Sequence, residues 1–121
     1  MMKYGVVAFP SKKLQDLANS YRKRYDPHYS LITPHMTVKG VFEASDEEIE
    51  TLSTQIGEVV KRHKPFSLQT SRVSSFSPVT NAIYFKVEPT PELLELHKDL
   101  HSDVLGAEAE YAFVPHITIA Q

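Results

Sequence analysis

The pattern Pro-His-x-Thr followed by an aliphatic residue occurs twice, at Pro34-His35-Met36-Thr37-Val38 and at Pro115-His116-Ile117-Thr118-Ile119, and it constrains the fold more than any other feature of the chain. Side chains at i and i+2 of an extended strand leave the same face. His35 and Thr37 therefore share one face, Met36 and Val38 the other, and the same holds for His116 and Thr118. A proline suits the start of such a strand, where no ladder donor is needed. One histidine-x-threonine triplet arises by chance about once or less in a chain this short. Two with matching neighbours are a signal.

The stretches leading to the two copies also read alike. The first runs from a β-like segment, Lys3 to Phe9, through Pro10 into a helical pattern and a loop before His35. The second runs from Ala82 to Val87 through Pro89 and Pro91 into another helical pattern and a loop before His116. This is an internal duplication of a strand, helix, strand unit with chemistry at the same place in each. Two such units packed about a pseudo-dyad bring the histidines face to face. After Thr118 only three residues remain, whereas the first unit continues with a helix and more strand. The expectation is a natural product longer by roughly 40 residues, with the second unit truncated here.

Spacing predicts three helices. The first starts at Ser11 with Leu14, Leu17, Ala18, Tyr21 and Tyr25 as its buried stripe and with Lys12, Lys13, Arg22, Lys23 and Arg24 on its outer face. The second opens with Ser45-Asp46-Glu47-Glu48, a capping box, and buries Ile49, Leu52, Ile56, Val59 and Val60. The third has Thr90 as cap, Pro91 at its first position, Leu93, Leu96, Leu100 and Val104 inward, and Gly106 as its stop. Segments near 66–76 and 82–88 form an antiparallel hairpin, and His116 to Gln121 is the last strand. The chain is one α+β domain over 1–121, with pseudo-twofold units of about 1–77 and 78–121.

Composition narrows the function classes. In 121 residues, 41% hydrophobic and 23% charged is ordinary for a folded domain, and the absence of cysteine removes disulfides and thiolate metal sites and favours a cytoplasmic address. A formal charge of −2 argues against bulk DNA binding, which rests on many Lys and Arg contacts to phosphates. The apolar run Gly5 to Phe9 is too short for a membrane span.

Imidazole, with an ordinary pKa of about 6.5, serves as proton donor or acceptor near neutrality, so a facing pair supplies both roles. A threonine hydroxyl beside each donates to a non-bridging phosphate oxygen. The substrate expected from the residues is a phosphodiester, handled without metal or other cofactor. Lys39, on the strand face of His35 and Thr37, is a candidate phosphate contact; its plainer reading is a solvated lysine. His97 and His101, four apart on the third helix, have a spacing that can hold zinc, and a solvated or boundary helix face is the plainer expectation. Phe76, Tyr84 and Phe113 can stack on a base or pack in the core.

Paired histidine-x-threonine motifs in a duplicated α+β domain resemble the 2H phosphoesterase superfamily, which includes the 2′-5′ RNA ligase-like and cyclic phosphodiesterase proteins. The opening Lys3-Tyr4-Gly5-Val6-Val7, the segment Pro10 to Asp16 and Tyr25-Asp26-Pro27 are similar to its YjcG-type bacterial branch. The resemblance implies a bilobal fold with antiparallel sheets around a central groove and helices outside. It also implies His35 as proton donor, His116 as proton acceptor, and Thr37 and Thr118 as phosphate contacts. The expected substrate is a cyclic phosphate or 2′-5′ linkage of a nucleotide or RNA end, with hydrolysis or ligation as the reaction. The rivals are a nucleotide-binding module of the same fold without turnover, and a metal-dependent hydrolase using both histidines as ligands.

Overall fold

The computed structural model describes residues 1–105 and 113–121. In chain order the elements are β1 (Met2–Ala8), α1 (Lys12–Tyr25), β2 (Met36–Ala44), α2 (Asp46–Lys61), β3 (Thr70–Ser75), β4 (Ile83–Val87), α3 (Pro91–Leu100), a π-helical turn (His101–Leu105) and β5 (His116–Ala120). The fold is α+β, as the alternating patterns predict. The strands are ordered β1-β2-β5-β4-β3, with β2 and β3 to β5 joined in antiparallel pairs. Among the described residues no helix is long and apolar enough to cross a membrane.

The chain divides into two compact units, and each draws on several stretches of sequence. One comprises residues 1–6, 38–68 and 89–113; the other comprises 7–37, 69–88 and 114–121.

In the first of these, α2 starts with the full capping box: the Glu48 amide donates to the Ser45 hydroxyl and the Ser45 amide donates to the Glu48 carboxylate. Two of the four orphan amides at the helix start are thereby satisfied. The Glu48 carboxyl consequently titrates below its ordinary range, chiefly through the Ser45 backbone bond. Val59 is buried, but Val60 is 45% exposed and does not belong to the buried stripe. Thr90 caps α3 by accepting from the Leu93 amide, and Leu93 and Leu100 are buried. Gly106, the expected stop, lies outside the described residues.

His97 and His101, expected on a solvated or boundary helix face, are instead buried. His97 stacks on Phe113 at 3.9 Å with an interplanar angle of 11°, and the His101 Nδ1 donates to the His97 carbonyl at 2.7 Å. Stacking on an aromatic face gives imidazole an apolar partner that helical spacing alone does not reveal.

In the second unit, α1 packs on β5 and the β3-β4 hairpin forms as expected, with Ser74 paired to Tyr84 and Val73 to Phe85. Met36, Phe85, Val87, Ile117 and Ile119 build the apolar side. The face that α1 turns inward differs from the predicted one. Leu17, Tyr21 and Tyr25 are exposed, whereas Ala18 and Arg22, one turn apart, are buried. Arg22 is an interior residue because every part of its guanidinium finds a partner. Its Nε donates to the Asp26 carboxylate at 3.3 Å, one Nη to the Asn19 side-chain oxygen at 2.8 Å, and the other to the Ile32 carbonyl at 2.6 Å. A charge this deep is tolerated only when paired and hydrogen-bonded.

Candidate active site

The sequence motifs meet within the second unit. Met36 on β2 is paired with Ile117 on β5 in antiparallel strands. Continuing that register by one residue on each side sets Thr37 opposite His116 and His35 opposite Thr118. Met36 and Ile117 point into the core, so the two histidines and two threonines leave the other face together. Each histidine therefore faces the other motif's threonine, and the imidazoles stand on a diagonal, where cross-strand neighbours are about 7–8 Å apart. The histidines expected face to face about a pseudo-dyad are diagonal neighbours on one face of the β2-β5 pair.

Both prolines stand where the ladder needs no donor. Pro115 still serves through its carbonyl, which accepts from the Val87 amide at 3.0 Å. The two rings are held by the same device. His35 Nδ1 lies 2.9 Å from the Thr33 carbonyl, and His116 Nδ1 lies 2.6 Å from the Val114 carbonyl, in each case two residues upstream. A carbonyl only accepts, so Nδ1 carries the proton and, in the neutral ring, Nε2 keeps a lone pair.

The environments of the rings differ in one respect that matters for chemistry. His116 is flanked by Phe76, edge-on at 4.9 Å, and by Tyr84 at 5.0 Å. Burial pushes the His116 pKa below the ordinary 6.5; the bond to Val114 opposes the shift, and positive charge on His35 adds to it. Both lowering causes, burial and the His35 charge, favour the neutral form of the His116 imidazole. Phe76 and Tyr84, left by the sequence between base stacking and core packing, pack on each other and on this imidazole.

Two residues that sequence reasoning did not select also belong here. Lys86 on β4 is paired with His116, and Tyr84 with Thr118. Directly opposite residues share a face, which puts the Lys86 side chain on the side of the two motifs. Arg22 is the other: with Ile32, Pro34, His35, Thr118 and Gln121 it lines a pocket of 280 Å³. Lys39 follows Thr37 by two residues on β2 and falls in the other compact unit.

A family model described as the 2′-5′ RNA ligase superfamily matches residues 9–121. A protein of Bacillus licheniformis named "Putative phosphoesterase" is 57% identical over 120 residues, which cover 99% of this chain and 71% of that protein. One of Bacillus cytotoxicus with the same description is 54% identical, with 99% of this chain and 70% of the relative covered. Among solved structures, E. coli LigT complexed with 3′-AMP superposes with a TM-score of 0.68 at 17% identity, covering 98% of this chain and 71% of LigT. LigT complexed with NADP+ gives 0.67 at the same identity, with 98% and 70% covered. Likeness at that identity is a likeness of fold.

Proposed function

This chain belongs to the 2′-5′ RNA ligase superfamily, and from that membership we propose that it is a metal-independent phosphoesterase acting on a cyclic phosphate or 2′-5′ phosphodiester of a nucleotide or RNA end. The observation that carries the reading is the crossed pairing of two histidines and two threonines on one strand face, with each Nδ1 tied to a carbonyl. The relatives named as phosphoesterases support the reaction class, and the nucleotide complexes of LigT support the substrate class.

For a 2′,3′-cyclic phosphate the chemistry runs as follows. The Nε2 of neutral His116 takes a proton from water as its oxygen bonds to phosphorus. The phosphorus bond to one ribose oxygen breaks, and protonated His35 delivers its Nε2 proton to that leaving oxygen. Thr37 and Thr118 donate their hydroxyls to the non-bridging oxygens, where charge accumulates in the transition state. Lys86 adds a positive charge on the side of His116. The products are a phosphomonoester and a free hydroxyl, and the two imidazoles have exchanged protonation states.

Steady-state hydrolysis of 2′,3′-cyclic nucleotides and 2′-5′ dinucleotides by the wild type and by His35→Ala and His116→Ala tests the reading. Turnover that either substitution leaves unchanged removes that histidine from the mechanism. Nucleotide binding with no turnover of any of these substrates would make the protein a binding module.

A further inference from the structure

We propose that a row of basic side chains crossing the sheet from the two motifs to β3 selects the end of a polynucleotide over a single nucleotide, with Arg72 engaging the phosphodiester next to the phosphate held at the motifs. The proposal deepens the phosphoesterase reading and rests on it for the position of that first phosphate. Lys86 stands opposite His116 across β4 and β5. On the other side of β4 the register with β3 slips by one residue, since Thr70 faces Val87 and Val73 faces Phe85. Ser71 and Arg72 therefore both stand against Lys86, as in a β-bulge, where two residues of one strand oppose one of the other. Arg72 also lies two residues from Ser74, which is opposite Tyr84, itself the partner of Thr118. Both relations put the Arg72 side chain on the face of the motifs. With neighbouring strands about 4.8 Å apart, the row His116, Lys86, Arg72 spans about 10 Å.

The chemistry of this surface suits an extended anion. Strands β3, β4 and β5 carry Arg72 and Lys86 and no Asp or Glu. The next carboxylate along β4, that of Glu88, follows its end, where the Glu88 amide donates to the Gln69 carbonyl at 2.8 Å. Among the described residues neither Arg72 nor Lys86 forms an ion pair or a side-chain hydrogen bond, so both cations are open to a ligand. With the first phosphate at the motifs, Arg72, exposed on the last strand of the sheet, stands one strand further out than Lys86. A chain that continues past the terminal nucleoside brings its next phosphate toward that edge, and a planar guanidinium grips a phosphate through paired hydrogen bonds. Basic groups that follow the backbone hold single strands without regard to sequence. The formal charge of −2 does not oppose this, because a chain end needs few phosphate contacts whereas bulk binding needs many.

The test compares adenosine 2′,3′-cyclic phosphate, a triadenylate ending in a 2′,3′-cyclic phosphate, and the same triadenylate with a neutral methylphosphonate replacing the phosphodiester next to that end. The last keeps every base and removes one charge. Hydrolysis is measured with wild type, Arg72→Gln and Arg72→Lys. The wild type is expected to favour the charged triadenylate over both other substrates by about tenfold in kcat/KM, the effect of one charge-assisted contact. Arg72→Gln is expected to erase the difference through KM, and Arg72→Lys to restore part of it, a pattern that a purely structural side chain would not produce. Equal constants for the charged and neutral triadenylates in the wild type, or a preference that survives in Arg72→Gln, overturns the proposal. Where no substrate turns over, calorimetric affinities for the three corresponding 3′-phosphates decide. A preference for the charged triadenylate that Arg72→Gln loses then keeps Arg72 as a phosphate contact and removes the phosphoesterase reading. Turnover of all three substrates with equal kcat/KM does the reverse.

Discussion

Lys86 and His116 are direct partners across the β4-β5 ladder, so an ammonium group and the candidate proton acceptor rise from the same face of the sheet. In the proposed reaction a phosphate between the motifs meets that charge as its own negative charge grows. Lys86→Gln is expected to lower kcat/KM for a cyclic phosphate by about tenfold, the cost of one charge-assisted hydrogen bond. Lys86→Arg should recover part of the loss. Equal kinetics for Lys86→Gln and wild type would put the ammonium out of reach of the phosphate.

Replacing either motif histidine by alanine is expected to lower kcat by about 10²-fold or more with circular dichroism unchanged. Both rings are half-buried on the open face, while the packing residues Met36 and Ile117 beside them stay in place. The double substitution should cost little more than either single one, because the two imidazoles act as one proton-transfer unit.

Prolonged dialysis against EDTA is expected to leave turnover intact, since every step assigned to the phosphate uses imidazole, hydroxyl or ammonium groups. Loss of activity that zinc or magnesium restores would replace the scheme with one in which the histidines are ligands.

The sequence exposed the parts of the site governed by local rules and hid those set by long-range register. Alternation along a strand sufficed to put His35 with Thr37 and His116 with Thr118. Which residue faces which across β2 and β5 depends on the pairing of strands some eighty residues apart, and no local pattern encodes it. The same blindness concealed Lys86, a single lysine in a hairpin strand. Arg22 was hidden for another reason. Arginine is rarely interior, so an apolar stripe through Leu17 and Tyr21 is the natural reading, and only the convergence of Asp26, Asn19 and a loop carbonyl makes the other helix face the buried one. The caps at Ser45 and Thr90 were legible because capping is a contact within four residues.

Arg22→Met tests that interior pair. With the guanidinium gone, Asp26 keeps its buried carboxylate without its cation, a change expected to destabilise the fold by about 3–5 kcal/mol. Replacing both, as Arg22→Met with Asp26→Leu, should recover much of this, and the cycle can be read from urea midpoints. A single Arg22→Met variant as stable as wild type would show that the pair contributes nothing net.

In the proposed mechanism the aromatic neighbours of His116 set the acid limb of activity. Its folded-state pKa lies below 6.5 through burial, so the imidazole proposed as general base stays unprotonated as pH falls past that value. The acid limb of kcat/KM should accordingly lie below pH 6.5. The same shift enters stability with a defined sign. The folded state binds its proton less readily than the unfolded chain, so this contribution is fully present above 6.5 and is lost as pH falls through the lower folded-state value. Phe76→Ala opens one side of the cage to water and weakens the main cause of the shift. Its acid limb is expected to move toward 6.5. A limb that does not move in Phe76→Ala, with the fold intact by circular dichroism, would separate the ring's packing from the titration of the base.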